Sequence, residues 1–380
     1  MKYLDEYRDS QLAQGLAAAI RRAAIPQRHY PLMEFCGGHT HAIFRYGIPA
    51  LLPSNVELIH GPGCPVCVLP IARLDQAIHL ARHHDLILCS YGDMLRIPGS
   101  HRATLLKAGA EGADVRMVYS SRDALQIARD NPQRRVAFFA IGFETTTPAT
   151  AEVIVQAQRL GLENFFVLCN HLLTPPALQA LLEAPAEGSR VAGFIGPAHV
   201  STVIGVEPYR YFAAHYHRPI VIAGFEPLDI LQAILMLIEQ LNQGRATVEN
   251  QYSRAVTERG NRKAQALINE VLEVRATFEW RGLGQLPHSG LKIKPAYAQY
   301  DAEVQLPLPL IQSAAENRAC DCPAILRGIK KPLECKIFGT LCTPDNPIGA
   351  CMVSSEGACA AYYRYARHPL PGEAAAVAHA

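Results

Sequence analysis

Nine of the eleven cysteines in this 380-residue chain stand in three polar, Gly/Pro-rich segments. Cys322, Cys335, Cys342 and Cys359 form a C-x12-C-x6-C-x16-C series near the carboxyl end. Four thiolates gathered in one segment can hold an iron–sulfur cluster or a zinc ion. The segment is short and broken by Pro and Gly, so a bound metal would supply much of its cohesion. Its spacing matches neither the paired C-x2-C of zinc ribbons nor the bacterial ferredoxin run. Cys320 and Cys351 lie in the same stretch and leave the ligand choice open by one or two positions.

A second cluster is Cys36-Gly37-Gly38-His39-Thr40-His41. One thiol and two imidazoles within six residues suit a soft or borderline metal, or an activated nucleophile. The paired glycines allow a sharp turn. The bland reading is a tight turn with a chance cysteine, but a buried cysteine needs no His-x-His beside it. A closed zinc site fits poorly, because only one thiol is local and adjacent residues cannot all face one ion.

The third cluster is His60-Gly61-Pro62-Gly63-Cys64-Pro65-Val66-Cys67, a C-x-x-C at a strand-to-helix turn. Such thiols suit a reversible disulfide, since the ring is small and a helix N-terminus stabilises the thiolate. No second C-x-x-C completes a zinc knuckle. A dithiol beside a four-thiol module favours iron–sulfur over zinc there, because zinc passes no electrons. Glu144, with Thr145 and Thr146, is a further candidate at a strand end, as are Asn170, His171, His199, Glu226 and Asp93. For each of these, a helix cap or a satisfied loop residue is an equal reading. Cys89 and Cys169 end apolar runs and read as small buried hydrophobes.

Short β-rich runs must position these groups. Strands are expected at Val56–Ile59, Leu86–Cys89, Val115–Tyr119, Val136–Ile141, Phe165–Cys169, Val191–Ile195 and Ile220–Ala223. Amphipathic helical patterns lie between them, at Ala72–Arg82, Arg122–Arg129, Ala149–Leu160, Pro176–Leu182 and Pro227–Gln243. The alternation predicts an α/β fold with parallel sheets and helices on both faces. The polar motifs follow strands, where open α/β sheets collect ligands. Echoes of GFE (Gly142–Glu144, Gly224–Glu226) and GP (Gly61–Pro62, Gly196–Pro197) hint at two related lobes. The expected division is an α/β domain over 1–125 carrying CGGHTH and C-x-x-C, a second α/β domain over 126–255, and a helical and loop-built cluster domain over 256–380. The stretch GLGQLPHSGLKIKP reads as a loop, and the tail PLPGEAAAVAHA should fray.

A net charge of +2 gives no reason to expect nucleic acid or an anionic membrane as partner. The first residues lack the apolar core of a secretory signal, and no apolar run is long enough to span a bilayer. A cytoplasmic protein is expected, in which many cysteines mean something other than a disulfide lattice. No Walker-type glycine loop is present.

Taken together, CGGHTH, HGPGCPVC, GFETTTP and CTPDNPIGACMVSSEGACAAYY closely resemble the HypD family of hydrogenase maturation factors, over almost the whole chain. The resemblance implies two Rossmann-like α/β lobes of similar topology plus a small C-terminal domain, with a [4Fe–4S] cluster on Cys322, Cys335, Cys342 and Cys359. It implies a scaffold for the Fe(CN)2CO group of [NiFe] hydrogenases, acting with a small HypC-type chaperone. Cys36 would anchor the iron, which transiently carries CN and CO, and His39 or His41 would shape the pocket. A HypE-type partner, supplied by its carbamoyl-transferring partner, would deliver cyanide. The completed group would then pass to the hydrogenase large subunit. Releasing cyanide from sulfur-bound carbon needs electrons, so the expected sequence runs from cluster to Cys64/Cys67 to the iron on Cys36, much as ferredoxin–thioredoxin reductase sets a cluster beside a disulfide. The alternatives are a stand-alone iron–sulfur thiol–disulfide oxidoreductase and a zinc hydrolase built on Cys36, His39 and His41.

Overall fold

The structure, a computed structural model, describes residues 5–184, 190–309 and 317–366. The tail PLPGEAAAVAHA lies outside the described residues. In chain order the strands of the two main sheets are β1 Tyr30–Glu34, β2 Val56–His60, β3 Leu86–Ser90, β4 Val115–Met117, β5 Arg135–Gly142, β6 Phe165–His171, β7 Gly193–Pro197, β8 Ile220–Ala223 and β9 Val248–Asn250. They form two wholly parallel sheets, ordered β2-β1-β7-β8-β9 and β4-β3-β5-β6. Parallel strands need crossover connections, which cover both faces. The strands accordingly read as continuous apolar runs: all of β3 and β6, and all of β5 but Arg135, is buried.

The α/β expectation therefore holds, with differences in detail. Numbered within each sheet, the orders are 2-1-3-4-5 and 2-1-3-4, a flavodoxin-type winding rather than the 3-2-1 half of a Rossmann sheet. The shared winding makes the lobes alike, yet the short echoes do not mark equivalent places. One GFE follows β5, the third strand of its sheet, and the other follows β8, the fourth of its own.

The division at residue 125 is corrected. Strands β1 and β2 pair into the sheet completed by β7, β8 and β9, while β3 to β6 form the other, so the second lobe is inserted into the first. Residue 125 falls inside helix Ser121–Asp130, whose Ala124, Leu125 and Ala128 pack with Ile87 of β3 and Val136 of β5. Alternation in sequence shows which segments are strands, but not which strands share hydrogen bonds.

The loop expected after residue 281 is instead built into antiparallel pairs. Here β10 (Leu272–Val274) joins β13 (Leu291–Ile293), and β11 (Thr277–Trp280) joins β12 (Gly284–Pro287). Trp280 of β11 stacks on Phe143, just beyond β5, with centroids 5.8 Å apart. Residues 317–366 form only short turns, among them Cys322–Leu326, Ala350–Met352 and Ala358–Ala361. They share one apolar cluster with Phe143, Leu172, Val200, Phe278 and Trp280. The segment thus borrows its core from both lobes, as its length requires.

Candidate thiol and metal site

Reversal of winding opens a crevice beyond the carboxyl ends of the two central strands. In the five-stranded sheet those are β1 and β7. Cys36 follows β1 as N-cap of helix Gly37–Arg45, and His199 follows β7 in helix Ala198–Ile204. The Cys36 sulfur, 1% exposed, lies 3.6 and 3.7 Å from the two ring nitrogens of His199. Burial, with Glu356 and Glu34 nearby, pushes the Cys36 thiol well above its ordinary range. Burial, and His39 second, drives His199 down to about 4, so it is a neutral ring at pH 7.

Glu34 holds this turn in place. Its fully buried carboxylate accepts from the Cys36 amide (2.9 Å), from His60 Nδ1 (2.6 Å) and from the Thr40 hydroxyl. Three donors around one carboxylate offset the cost of burying its charge. They also tie the end of β1 to the end of β2.

The two histidines of the motif part company, as residues two apart on a helix must. His39 is fully buried and donates through Nε2 to the carbonyls of Ala223 and Gly224, both at 3.0 Å. Its Nδ1 is buried without a hydrogen-bond partner. Burial lowers its pKa, and its ring rests on Phe225, which also stacks on His199. His41 turns the other way, toward the Ser355 carbonyl (3.2 Å) and the ring of Tyr365. Only His39 therefore belongs to the Cys36 neighbourhood, and the Cys36–His39–His41 zinc site is not assembled.

The C-x-x-C turn meets Cys36 directly. Gly37 donates its N–H to the Gly63 carbonyl (2.9 Å), and a Cβ on Gly63 would lie 2.0 Å from the Cys36 nitrogen. Only glycine permits that approach. Cys64 caps the short helix Pro65–Val68 and is disulfide-bonded to Cys67, with Cα atoms 5.2 Å apart. Both are buried, at 3% and 0% exposure. They belong to the same apolar cluster as Cys322, Cys335, Cys342, Cys351 and Cys359, with Cys320 at its margin. Helix Pro65–Val68 packs on the turn Ala350–Met352.

No histidine lies between Cys320 and Cys359, and the cysteines of the sulfur module share one apolar cluster. Cys322 and Cys351 have their sulfurs in contact at 2.7 Å, and Cys342 accepts the Ile348 amide at 3.4 Å. Among the described residues, no three His, Cys, Asp or Glu side chains gather about a point that one ion could fill. A sulfur-only donor set spread through a buried volume suits a polynuclear iron–sulfur group, whose thiolates each bind a separate iron, better than one tetrahedral ion.

Glu144 lies apart from Cys36 chemistry. Its carboxylate accepts from the Thr174 amide and hydroxyl, both at 2.8 Å, at the start of helix Thr174–Glu183. Burial raises its pKa to about 7. Asn170 is satisfied by Arg73 and the Ala140 carbonyl, whereas His171 pairs through Nε2 with the Thr150 hydroxyl and keeps its Nδ1 buried without a hydrogen-bond partner. Cys89 and Cys169 are buried in its core. Reading the sequence missed Glu34, Phe225 and Glu356, and gave His60 no role beyond its place in the C-x-x-C motif. Glu356 is visible only in three dimensions: a Cβ on Gly37 would meet its Cβ at 2.3 Å.

Comparison with known proteins identifies the family. The family model described as "HypD: Hydrogenase formation hypA family" matches residues 11–366. The chain is 65% identical over 370 residues to the hydrogenase maturation factor HypD of Azotobacter vinelandii, covering 97% of each protein. It is 65% identical over 370 residues to the hydrogenase expression/formation protein HupD of Azotobacter chroococcum, again covering 97% of each. Against HypD of Escherichia coli K12 it is 46% identical over 370 residues, covering 96% of this chain and 98% of that one. This chain therefore belongs to the HypD family of hydrogenase maturation factors.

Proposed function

We propose that this chain is the scaffold on which the iron of a [NiFe] hydrogenase is held, with a HypC-type chaperone, while it receives cyanide and carbonyl. Cys36 is the anchor on this side. A thiolate is a suitable soft donor for an iron carrying strong-field ligands. His199 and His39, neutral at pH 7, leave the net charge of such a complex unaltered. The observation that carries the reading is the contact made through Gly63, which brings the only thiol of the CGGHTH turn against the Cys64–Cys67 disulfide turn.

Cys322, Cys335, Cys342 and Cys359 are the proposed ligands of a [4Fe–4S] cluster. Bound there, the cluster supplies electrons one at a time. The Cys64–Cys67 disulfide takes up two electrons and two protons to become a dithiol. Its burial argues against the stand-alone oxidoreductase, because a protein substrate's thiolate cannot reach either sulfur. A HypE-type protein, itself supplied by a carbamoyl-transferring partner, is the proposed source of cyanide. No helix among the described residues is long and apolar enough to cross a membrane, which fits the proposed cytoplasmic setting.

The test is an anaerobic infrared spectrum of the chain co-purified with its HypC-type chaperone from cells that make the cyanide donor. Bands of metal-bound cyanide and carbonyl are expected, and absent from Cys36→Ala, which keeps its visible iron–sulfur absorption. Bands of equal intensity in Cys36→Ala would overturn the anchoring role.

A further inference from the structure

The proposed function requires electrons from outside, and a cavity of about 200 Å3 lies between the sulfur module and an exposed, cationic turn. Its walls include Ser100, His101, Arg102, Arg281, Asn317 and Ile348. Two of them lead straight to sulfur. The Ile348 amide donates to the Cys342 sulfur at 3.4 Å, and the next residue, Gly349, would bring a Cβ within 2.6 Å of the Cys320 sulfur. The amide of Arg281, itself 5% exposed, donates at 2.7 Å to the carbonyl of Val68, the residue after Cys67. One small cavity thus touches the chain beside both the four-thiol module and the disulfide turn.

The rim is basic and held in an uncommon shape. His101 and Arg102 stand in the left-handed region, at φ 54° and 59°. Two consecutive non-glycine residues there are strained and must be held by their surroundings. The turn is kept by Asp75, which accepts from the Ser100 amide and hydroxyl at 2.8 and 2.6 Å. Arg96, Arg102 and Lys107 donate to neutral oxygens, those of Pro344, the Asn346 side chain and the Arg102 carbonyl, so these bonds leave their charge uncancelled. All three are exposed; Asp345 is the exposed acid on the adjoining loop.

We propose that this face is the docking site of a small acidic one-electron carrier protein. The proposal rests on the reading that the C-terminal thiols hold a one-electron centre. Opposite charge speeds encounter and orients the carrier with its redox centre toward the cavity. Each encounter oxidises the carrier by one electron and reduces the sulfur module by one. Two encounters, with two protons from solvent, convert the Cys64–Cys67 disulfide to two thiols.

The test uses the full chain, purified anaerobically with its chromophore, and an acidic plant-type [2Fe–2S] ferredoxin as probe. Binding is measured by titration calorimetry at low and high salt, and electron transfer by stopped-flow from the pre-reduced ferredoxin. Affinity should fall steeply with salt. Arg102→Glu with Lys107→Glu should weaken binding and slow reduction by the ferredoxin about tenfold or more. A photoreduced deazaflavin, which needs no docking face, should reduce variant and parent at equal rates. Should the double variant lose its chromophore, Lys107→Glu alone decides, since its side chain reaches only the Arg102 carbonyl. Ferredoxin binding that ignores both salt and charge reversal, in a chromophore-bearing chain, overturns the docking face alone. A chain with no iron–sulfur chromophore at all overturns the underlying reading and this inference with it.

Discussion

At the scale of single residues, the site depends on buried polar groups satisfied by one another. Glu34 is central, because its three donors arrive from the turn after β1, from helix Gly37–Arg45 and from β2. Glu34→Ala would leave the Cys36 amide, the Thr40 hydroxyl and His60 without their acceptor. Each stranded donor costs about 1–3 kcal/mol, so a thermal melt should show a large loss of stability. Glu34→Gln keeps an acceptor and should lose less; equal losses would contradict the account.

Glu144 gives a second prediction, in pH. Its folded pKa of about 7 lies above its ordinary value of 4.5. Between those values the folded state holds more protons than the unfolded one, so stability is highest below pH 4.5 and falls as pH rises to about 7. The loss is of order 3 kcal/mol. Glu144→Gln should flatten this part of the melting-temperature profile, and an unchanged slope would refute the assignment.

At the scale of elements, the switch point of the five-stranded sheet does the placing. It sets Cys36 after β1 beside His199 after β7, and Gly63 after β2 clamps the C-x-x-C turn onto the Cys36 turn. In Gly63→Ala, a methyl 2.0 Å from the Cys36 nitrogen must displace one turn or the other. Assembly of the cyanide and carbonyl bands should fail while the visible iron–sulfur absorption persists. Intact bands would show that the two turns need not touch.

The sequence made much of this legible. The seven expected strands exist, most with shifts of one or two residues at an end, and the motifs do follow strands. The strand β1 was missed because Pro31 and Glu34 interrupt its apolar pattern; the first lacks a donor and the second is a buried charge. Glu34 and Phe225 carry no metal-like spacing, so only their placement reveals them, and only placement shows that His60 serves Glu34. His39 and His41 look equivalent on paper and are separated by helical geometry. The insertion of one lobe in the other was hidden for a different reason: β7 returns to β1 after more than a hundred residues, and local pattern says nothing about so distant a partner.

At the scale of the whole molecule, the sulfur module is joined to the lobes by shared core, and the arm that precedes it is joined by charge. Glu303 accepts from both Arg73, on the helix between the lobes, and Arg275 of the C-terminal arm. Burial lowers the Arg73 pKa from its ordinary value, with Glu303 opposing it. Glu303→Ala would leave two largely buried cations facing each other, a loss of about 3–5 kcal/mol. The expected outcome is a lower melting temperature and faster loss of iron on exposure to a chelator. An unchanged melt would mean that the arm is held by apolar contacts alone.

The central claim is that the C-terminal thiols and the Cys64–Cys67 pair work as one electron-handling unit. The direct measurement is anaerobic thiol trapping: after limited reduction of the folded chain by a reduced acidic ferredoxin, the sample is quenched in acid, denatured and labelled with a mass-tagged alkylating reagent. Cys64 and Cys67 should both be alkylated in the parent protein and remain disulfide-bonded in Cys342→Ala. Equal labelling in both proteins would show that electrons reach the disulfide without the sulfur module, and the account would fall.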